Sequence, residues 1–402
     1  MRLLSCFAFS ALLATAVLPL AATHTAASFH FVFTGQRGPW PVGLRVIDQY
    51  VSSRPFTRHV DGHSVPSPDG RPLQTLVWYA ARRSHHAPMT MGDYAALIHT
   101  ETSFSQPMEK GFSQNFVAAF TQSRDPISMW AVRDAKMRRG RFPVIIHATS
   151  IDAPSTENID LCEYLASYGC LVLASPSMGA SSRKMIVSLA GANAQAQDIS
   201  FLVSFAAKLP DANASEVAVI GYSWGGMAAL FAEARDPRIR ALISLDGSFR
   251  YSPGIVQAGG VQPDDMSIPL LFFSRAPDTA LSRAKSASSG NPVLDQWTHG
   301  DLLHLTMPAM SHIEFSSLYL GSQRFRSGGF HFHPTGYSPQ QGAVSYIWIV
   351  RYTLAFLDAY LKHLSAAVAF LRRPPSENGV PSHLIDSTYR AATPLTQPVT
   401  GD

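Results

Sequence analysis

Ser223 stands in Gly221-Tyr222-Ser223-Trp224-Gly225, the spacing G-x-S-x-G. Residues 216–220 before it read as a buried strand, and the small residues after it read as a helix. A strand-to-helix turn this tight strains the backbone of the serine, and flanking glycines without Cβ atoms let the two elements approach. The turn lifts the hydroxyl to the top of a sheet. It also sets it at a helix N-terminus, where free N–H groups favour developing negative charge. The chemistry this suits is nucleophilic attack on a carbonyl. The plainer reading, a glycine-rich turn with a capping serine, is weakened by the strand and helix on either side.

A serine hydroxyl needs a base, and the base needs an orienting carboxylate. Behind a G-x-S-x-G turn the acid follows the serine in the chain and the histidine follows the acid. Of fifteen histidines, His312 in "TMPAMSHIEFSSL" is the candidate base. It lies in a loop after an apolar stretch and before a helix-like run. His299, His304, His331 and His333 are alternatives that read better as surface or substrate-loop residues. Two acids compete. Asp246 ends the strand-like "ALISLD", and Asp278 in "LLFFSRAPD" ends the next one. Position alone does not separate them.

The elements that must carry these residues follow a regular order. Residues 41–51 and 72–81 read as strands, with a Pro, Gly, Ser and His-rich loop between them. Residues 88–135 carry helix-like spacing, as in Met108, Phe112, Phe116, Ala119 and Phe120, and read as a helical insertion. From residue 142 apolar strands alternate with helices. "TENIDLCEYLASYG" is one such helix, with Thr156 as candidate N-cap and Gly169 as its stop. A long helix follows His312. Strands apolar on both faces call for a parallel sheet covered on both sides, so the fold class is α/β, doubly wound. In such sheets function sits at the carboxyl ends of the strands.

Composition sets the bounds. The chain has 402 residues, 46% of them hydrophobic and 15% charged, enough for a sizeable core. A formal charge of +4 is mild for this length and gives no argument for nucleic acid. The basic cluster Lys136, Arg138, Arg139, Arg141 reads as a solvated connection. Residues 1–27 have a short basic start, an apolar run and small-residue cleavage sites, the layout of a secretory signal. The apolar run is short for a membrane anchor. Export, to the periplasm or the medium, is therefore expected. Cys162 and Cys170 read as buried apolar residues. No metal-binding spacing occurs, and neither a metal nor a cofactor is expected. Asn213-Ala214-Ser215 is a glycosylation sequon by pattern. Residues 374–402, rich in Pro, Ser and Thr, read as a surface tail after a domain spanning 28–373.

The ordered segments resemble α/β-hydrolases of the platelet-activating factor acetylhydrolase type, which are related to dienelactone hydrolases. "PVGLRV" and "TLVWYAA" are similar to that family's opening strands. "FPVIIHATSIDAPSTENIDLCEYLASYGCLVLASP" is similar to its strand, oxyanion loop, helix and next strand. "GYSWGGMAAL", "ALISLDGSF", "IPLLFFS" and "SHIEFSSL" follow in the family's order. The likeness covers most of residues 41–81 and 142–320, and neither the insertion nor the tail. It implies an α/β-hydrolase fold with Asp246 as acid and His312 as base, and so chooses Asp246 over Asp278. It also implies backbone oxyanion donors at Trp224 and Ile151. One departure is plain: the family carries His-Gly after the third strand, and this chain has Thr149-Ser150.

The resulting expectation is a secreted serine hydrolase of carboxylic esters, with short acyl groups or phospholipid-like substrates. Peripheral contact with lipid would be compatible with it. A cutinase or polyester hydrolase, favouring Asp278, and a peptidase are alternatives on the same residues. A non-catalytic binding protein on a hydrolase scaffold is the alternative of another class.

Overall fold

The computed structural model describes residues 31–60, 63–104, 128–276, 292–321 and 336–394. The expected signal segment 1–27 lies outside the described residues. So do Met108, Phe112, Phe116, Ala119 and Phe120, together with Asp278, His331 and His333.

Ten strands form one sheet in the order β12-β11-β10-β9-β8-β6-β7-β4-β1-β5. They are β1 (Val42–Val51), β4 (Arg71–Ala80), β5 (Ala131–Arg133), β6 (Phe142–Ala148), β7 (Leu171–Ser175), β8 (Ala212–Tyr222), β9 (Ile239–Leu245), β10 (Leu270–Arg275), β11 (Leu302–Met307) and β12 (Asp386–Arg390). The centre, from β7 through β11, is parallel. The main helices are α1 (Met91–Ile98), α2 (Ile159–Ser167), α3 (Leu189–Ala206), α4 (Trp224–Glu233) and α5 (Pro339–Tyr360).

The strands are apolar on both faces because both faces are covered. In β8, Ala218, Ile220 and Tyr222 join one core cluster, while Val217 and Val219 join the other. That alternation is the two-residue period of a strand with two buried sides. The chain runs from β6 to β7 on one side, then crosses to β8 on the other side of β6. The carboxyl ends of β6 and β8 therefore flank the switch point, the position where open α/β sheets bind ligands.

Four local expectations change. A short hairpin, β2 (Thr57–Val60) with β3 (His63–Pro66), occupies the stretch read as loop. Its described β3 residues are all exposed, so no apolar alternation marks it. Within the expected helical insertion, 91–98 is a helix capped by Thr90, but 131–133 is strand β5, parallel to β1. Three residues are too short to show a period. Helix α2 starts at Ile159 with Asn158 at the cap, not Thr156. Within the expected tail, residues 386–390 add an antiparallel edge strand to β11, with Leu384 and Ile385 buried beside it. Gly169, at φ +84°, ends the α2 turn as expected, and Cys162 and Cys170 are buried and free. No helix of the described residues is long and apolar enough to cross a membrane.

One buried ion cluster ties the sheet to the loops above it. Arg71 on β4 is fully buried, and its Nε and Nη2 donate to Asp198 Oδ1 and Oδ2 of α3 at 2.8 and 2.6 Å. Its remaining donors satisfy the carbonyls of Gly179 and Met178. Arg54 adds a 2.6 Å bond to Asp198 Oδ1. Replacing Asp198 leaves two guanidinium groups without their shared counter-charge. Asp198→Ala is expected to lower the unfolding free energy by about 3–5 kcal/mol, read from urea denaturation. A loss under about 1 kcal/mol, the level of a surface pair, would contradict this account.

Candidate active site

Ser223 is the N-cap of α4, with φ +52° and ψ −117°. A side chain in that region is strained, and the surroundings hold it there. Ser223 N–H donates to Leu245 O at 3.0 Å, and the Ser223 carbonyl accepts from Ser248 N–H at 2.8 Å and Gly226 N–H at 3.0 Å. The elbow is also crowded. A Cβ on Gly225 would stand 2.0 Å from the carbonyl oxygen of Ala148, at the end of β6, and one on Gly221 2.4 Å from Gly225 O. Only glycine lets α4 start this close to the neighbouring strand.

Asp246 follows β9, at φ +45°, and is fully buried. His312 opens a short 3₁₀ turn, 312–315, braced by a reciprocal capping box between Ser311 and Glu314. The three side chains meet in line. His312 Nδ1–H donates to Asp246 Oδ2 at 2.6 Å, and the Ser223 hydroxyl faces His312 Nε2 at 2.8 Å. A carboxylate only accepts, so the proton sits on Nδ1 and leaves Nε2 free to accept from Ser223. Ser223 is 8% exposed, and the His312 side chain 35%.

Residues assigned no role beside the acid from sequence complete the surroundings of Asp246. Tyr251 Oη donates to both of its carboxyl oxygens, at 3.0 and 3.1 Å. Arg250 and Arg275 stand 3.5 and 3.7 Å from it. Burial and the Asp246 charge push the Tyr251 hydroxyl up to about 12, so it stays a donor. Tyr222 Oη donates to the His312 carbonyl at 2.9 Å and fixes that backbone.

The other histidines do different things. His304, read from the sequence as a surface or substrate-loop residue, is instead a partly buried residue of β11, bonded to Ser274 Oγ at 2.8 Å, and burial lowers it to about 4, so it is neutral. His299 is bonded to the Thr393 carbonyl at the exposed edge.

The loop after β6 turns at Asp152, which takes the left-handed conformation at φ +55°. Its Oδ1 accepts from Met185 N–H at 2.5 Å and its carbonyl from Arg183 at 3.0 Å. Gln195 donates to Thr149 O at 2.8 Å. Buried Glu101 accepts from Ser155 N–H and Oγ at 2.7 and 2.9 Å and pairs with Arg183 at 3.3 Å. Ile151 is at the exposed turn of this loop, and Trp224 is the first residue of α4. An N–H in the first turn of a helix has no intrahelical acceptor and is available to an anion.

The sheet, the strained serine at the end of β8 and the side chains converging on it define an α/β-hydrolase fold. No protein-family model matches the chain, and no curated protein does. Among solved structures it is similar to a ferulic acid esterase from Streptomyces cinnamoneus, with a TM-score of 0.61 and 18% identity, over 87% of this chain and 96% of that one. At that identity the likeness establishes the shared fold.

Gly225→Ala tests the packing at the elbow. The added methyl must displace the end of β6 or the start of α4, and overpacking of this kind costs about 1–3 kcal/mol. Thermal melting is expected to show the loss. An unchanged melting temperature would contradict the close approach.

Proposed function

We propose that the protein is a serine hydrolase that cleaves carboxylic esters through an acyl-enzyme. The observation that carries this reading is the continuous hydrogen-bonded line from Asp246 through His312 to Ser223, built on a strained turn. Ser223 Oγ attacks the ester carbonyl carbon as His312 Nε2 takes its proton. Asp246 holds the imidazole orientation and supports its positive charge. The tetrahedral oxyanion is received by the N–H groups of Trp224 and Ile151. When the intermediate collapses, the alcohol leaves with the proton from His312. Water then attacks the acyl-serine, giving its proton to His312, and releases the acid and the free serine.

The substrate proposed is a small-molecule or lipid-like ester with a short acyl group. The similar solved structure is of a ferulic acid esterase, which makes an aryl-acid ester a useful member of the test series. Export after removal of residues 1–27 is part of the same proposal, as is the kinship with platelet-activating factor acetylhydrolase-type enzymes.

The test is hydrolysis of p-nitrophenyl esters from acetate to dodecanoate, and of a methyl ferulate, by residues 28–402. Ser223→Ala and His312→Ala are expected to lower kcat by about 10⁴-fold or more, and Asp246→Asn by on the order of 10⁴-fold. A fluorophosphonate should label the native protein and leave Ser223→Ala unlabelled. Full turnover in Asp246→Asn with loss in Asp278→Asn would move the acid to the later strand. Unlabelled native protein of intact fold would favour a binding role.

A further inference from the structure

We infer that Glu157 is a positioning residue for this reaction: its carboxyl holds the amide and hydroxyl of Ser150, the residue just before the proposed oxyanion donor Ile151, while its backbone anchors the segment that follows His312. The inference rests on the esterase reading above.

Glu157 lies in the turn before α2 and is fully buried. Ser150 N–H donates to its Oε2 at 2.7 Å, and Ser150 Oγ is paired with its Oε1. The Thr149–Ser150 peptide held in this way directly precedes the peptide that carries the Ile151 N–H. The Glu157 carbonyl accepts from Ser316 Oγ at 2.8 Å and from Leu318 N–H at 3.2 Å. Next to it, Asn158 Nδ2 donates to Phe315 O at 3.2 Å, and Asn158 Oδ1 accepts from Ser317 N–H at 2.8 Å. Two consecutive residues thus bind the oxyanion loop on one side and the histidine-bearing turn on the other. The carboxyl itself bonds to Ser150, not to the three reacting side chains, so its role is geometric.

The groups around this carboxyl are hydroxyls and an amide. From the loop comes Ser150, from β8 Tyr222, and from the helix Ser317–Gly321 comes Tyr319. Burial first, and Glu157 next, push both tyrosine hydroxyls well above their usual value. Burial raises Glu157 itself to about 8, with the Ser150 bonds opposing. Below about 8 the acid is neutral. Above it, a carboxylate forms beneath the loop that must receive an oxyanion, and the rate falls. A glutamine reproduces the neutral arrangement and does not titrate.

Two variants, followed by ester turnover and by the rate of fluorophosphonate labelling of Ser223 from pH 6 to 10, test this. Glu157→Gln should stay within about twofold of native kcat at pH 7 and lack the alkaline fall centred near 8. Glu157→Ala should lose about 10–100-fold in kcat with KM within about twofold, short of the full loss of a donor. Native kcat in a folded Glu157→Ala overturns the inference. If that variant does not fold, an alkaline limb shared by native protein and Glu157→Gln overturns it alone. Failure of the esterase reading looks different: no labelling at Ser223, or turnover that survives Ser223→Ala.

Discussion

The backbone of Ser223 is the constraint on which the rest depends. At φ +52° it sits where a side chain costs on the order of 1–3 kcal/mol. The fold holds it there from three directions: the Leu245 carbonyl at the end of β9, the Ser248 amide beyond Asp246, and the first turn of α4. The glycines at 221 and 225 remove the Cβ atoms that would otherwise push β8, α4 and β6 apart. The cost of one residue's conformation is met by the packing of three strands and a helix.

Two buried carboxyls, Asp246 and Glu157, differ in their surroundings. Asp246 has the donors Arg250, Arg275, Tyr251 and His312 about it. Glu157 meets hydroxyls and an amide, and burial favours its neutral form. In the proposed mechanism the donors around Asp246 face the imidazole, while the neutral form of Glu157 lies beside the loop assigned to the oxyanion. Asp152 turns the loop in the left-handed conformation and accepts bonds from Met185 and Arg183, while Glu101 and Gln195 bond to other parts of the loop.

Much of this was legible in the order of the residues. The G-x-S-x-G turn located the elbow, and the alternation of apolar strands with helices located the parallel sheet. His312 and Asp246 were placed by chain order and by family resemblance. The short elements were not legible. β5 is three residues long, the β2–β3 hairpin is polar, and β12 is exposed. None has an apolar period for a reader to count. The N-cap of α2 moved from Thr156 to Asn158 because Asn158 is drawn into bonds with residues about 160 positions away.

The sequence by itself determined the layered fold and the turn at Ser223, because strand and helix periods and glycine placement are local properties. It put His312 ahead of the other histidines by its loop position, but spacing did not separate its two acids. Tertiary structure placed His312 within 2.6 Å of Asp246 and 2.8 Å of Ser223, and put His304 on β11 beside Ser274. It also decided which donors surround each buried carboxyl, since some of those neighbours come from other strands. Distances across a sheet are set by pairing register and packing, and neither is written in the spacing of residues along the chain.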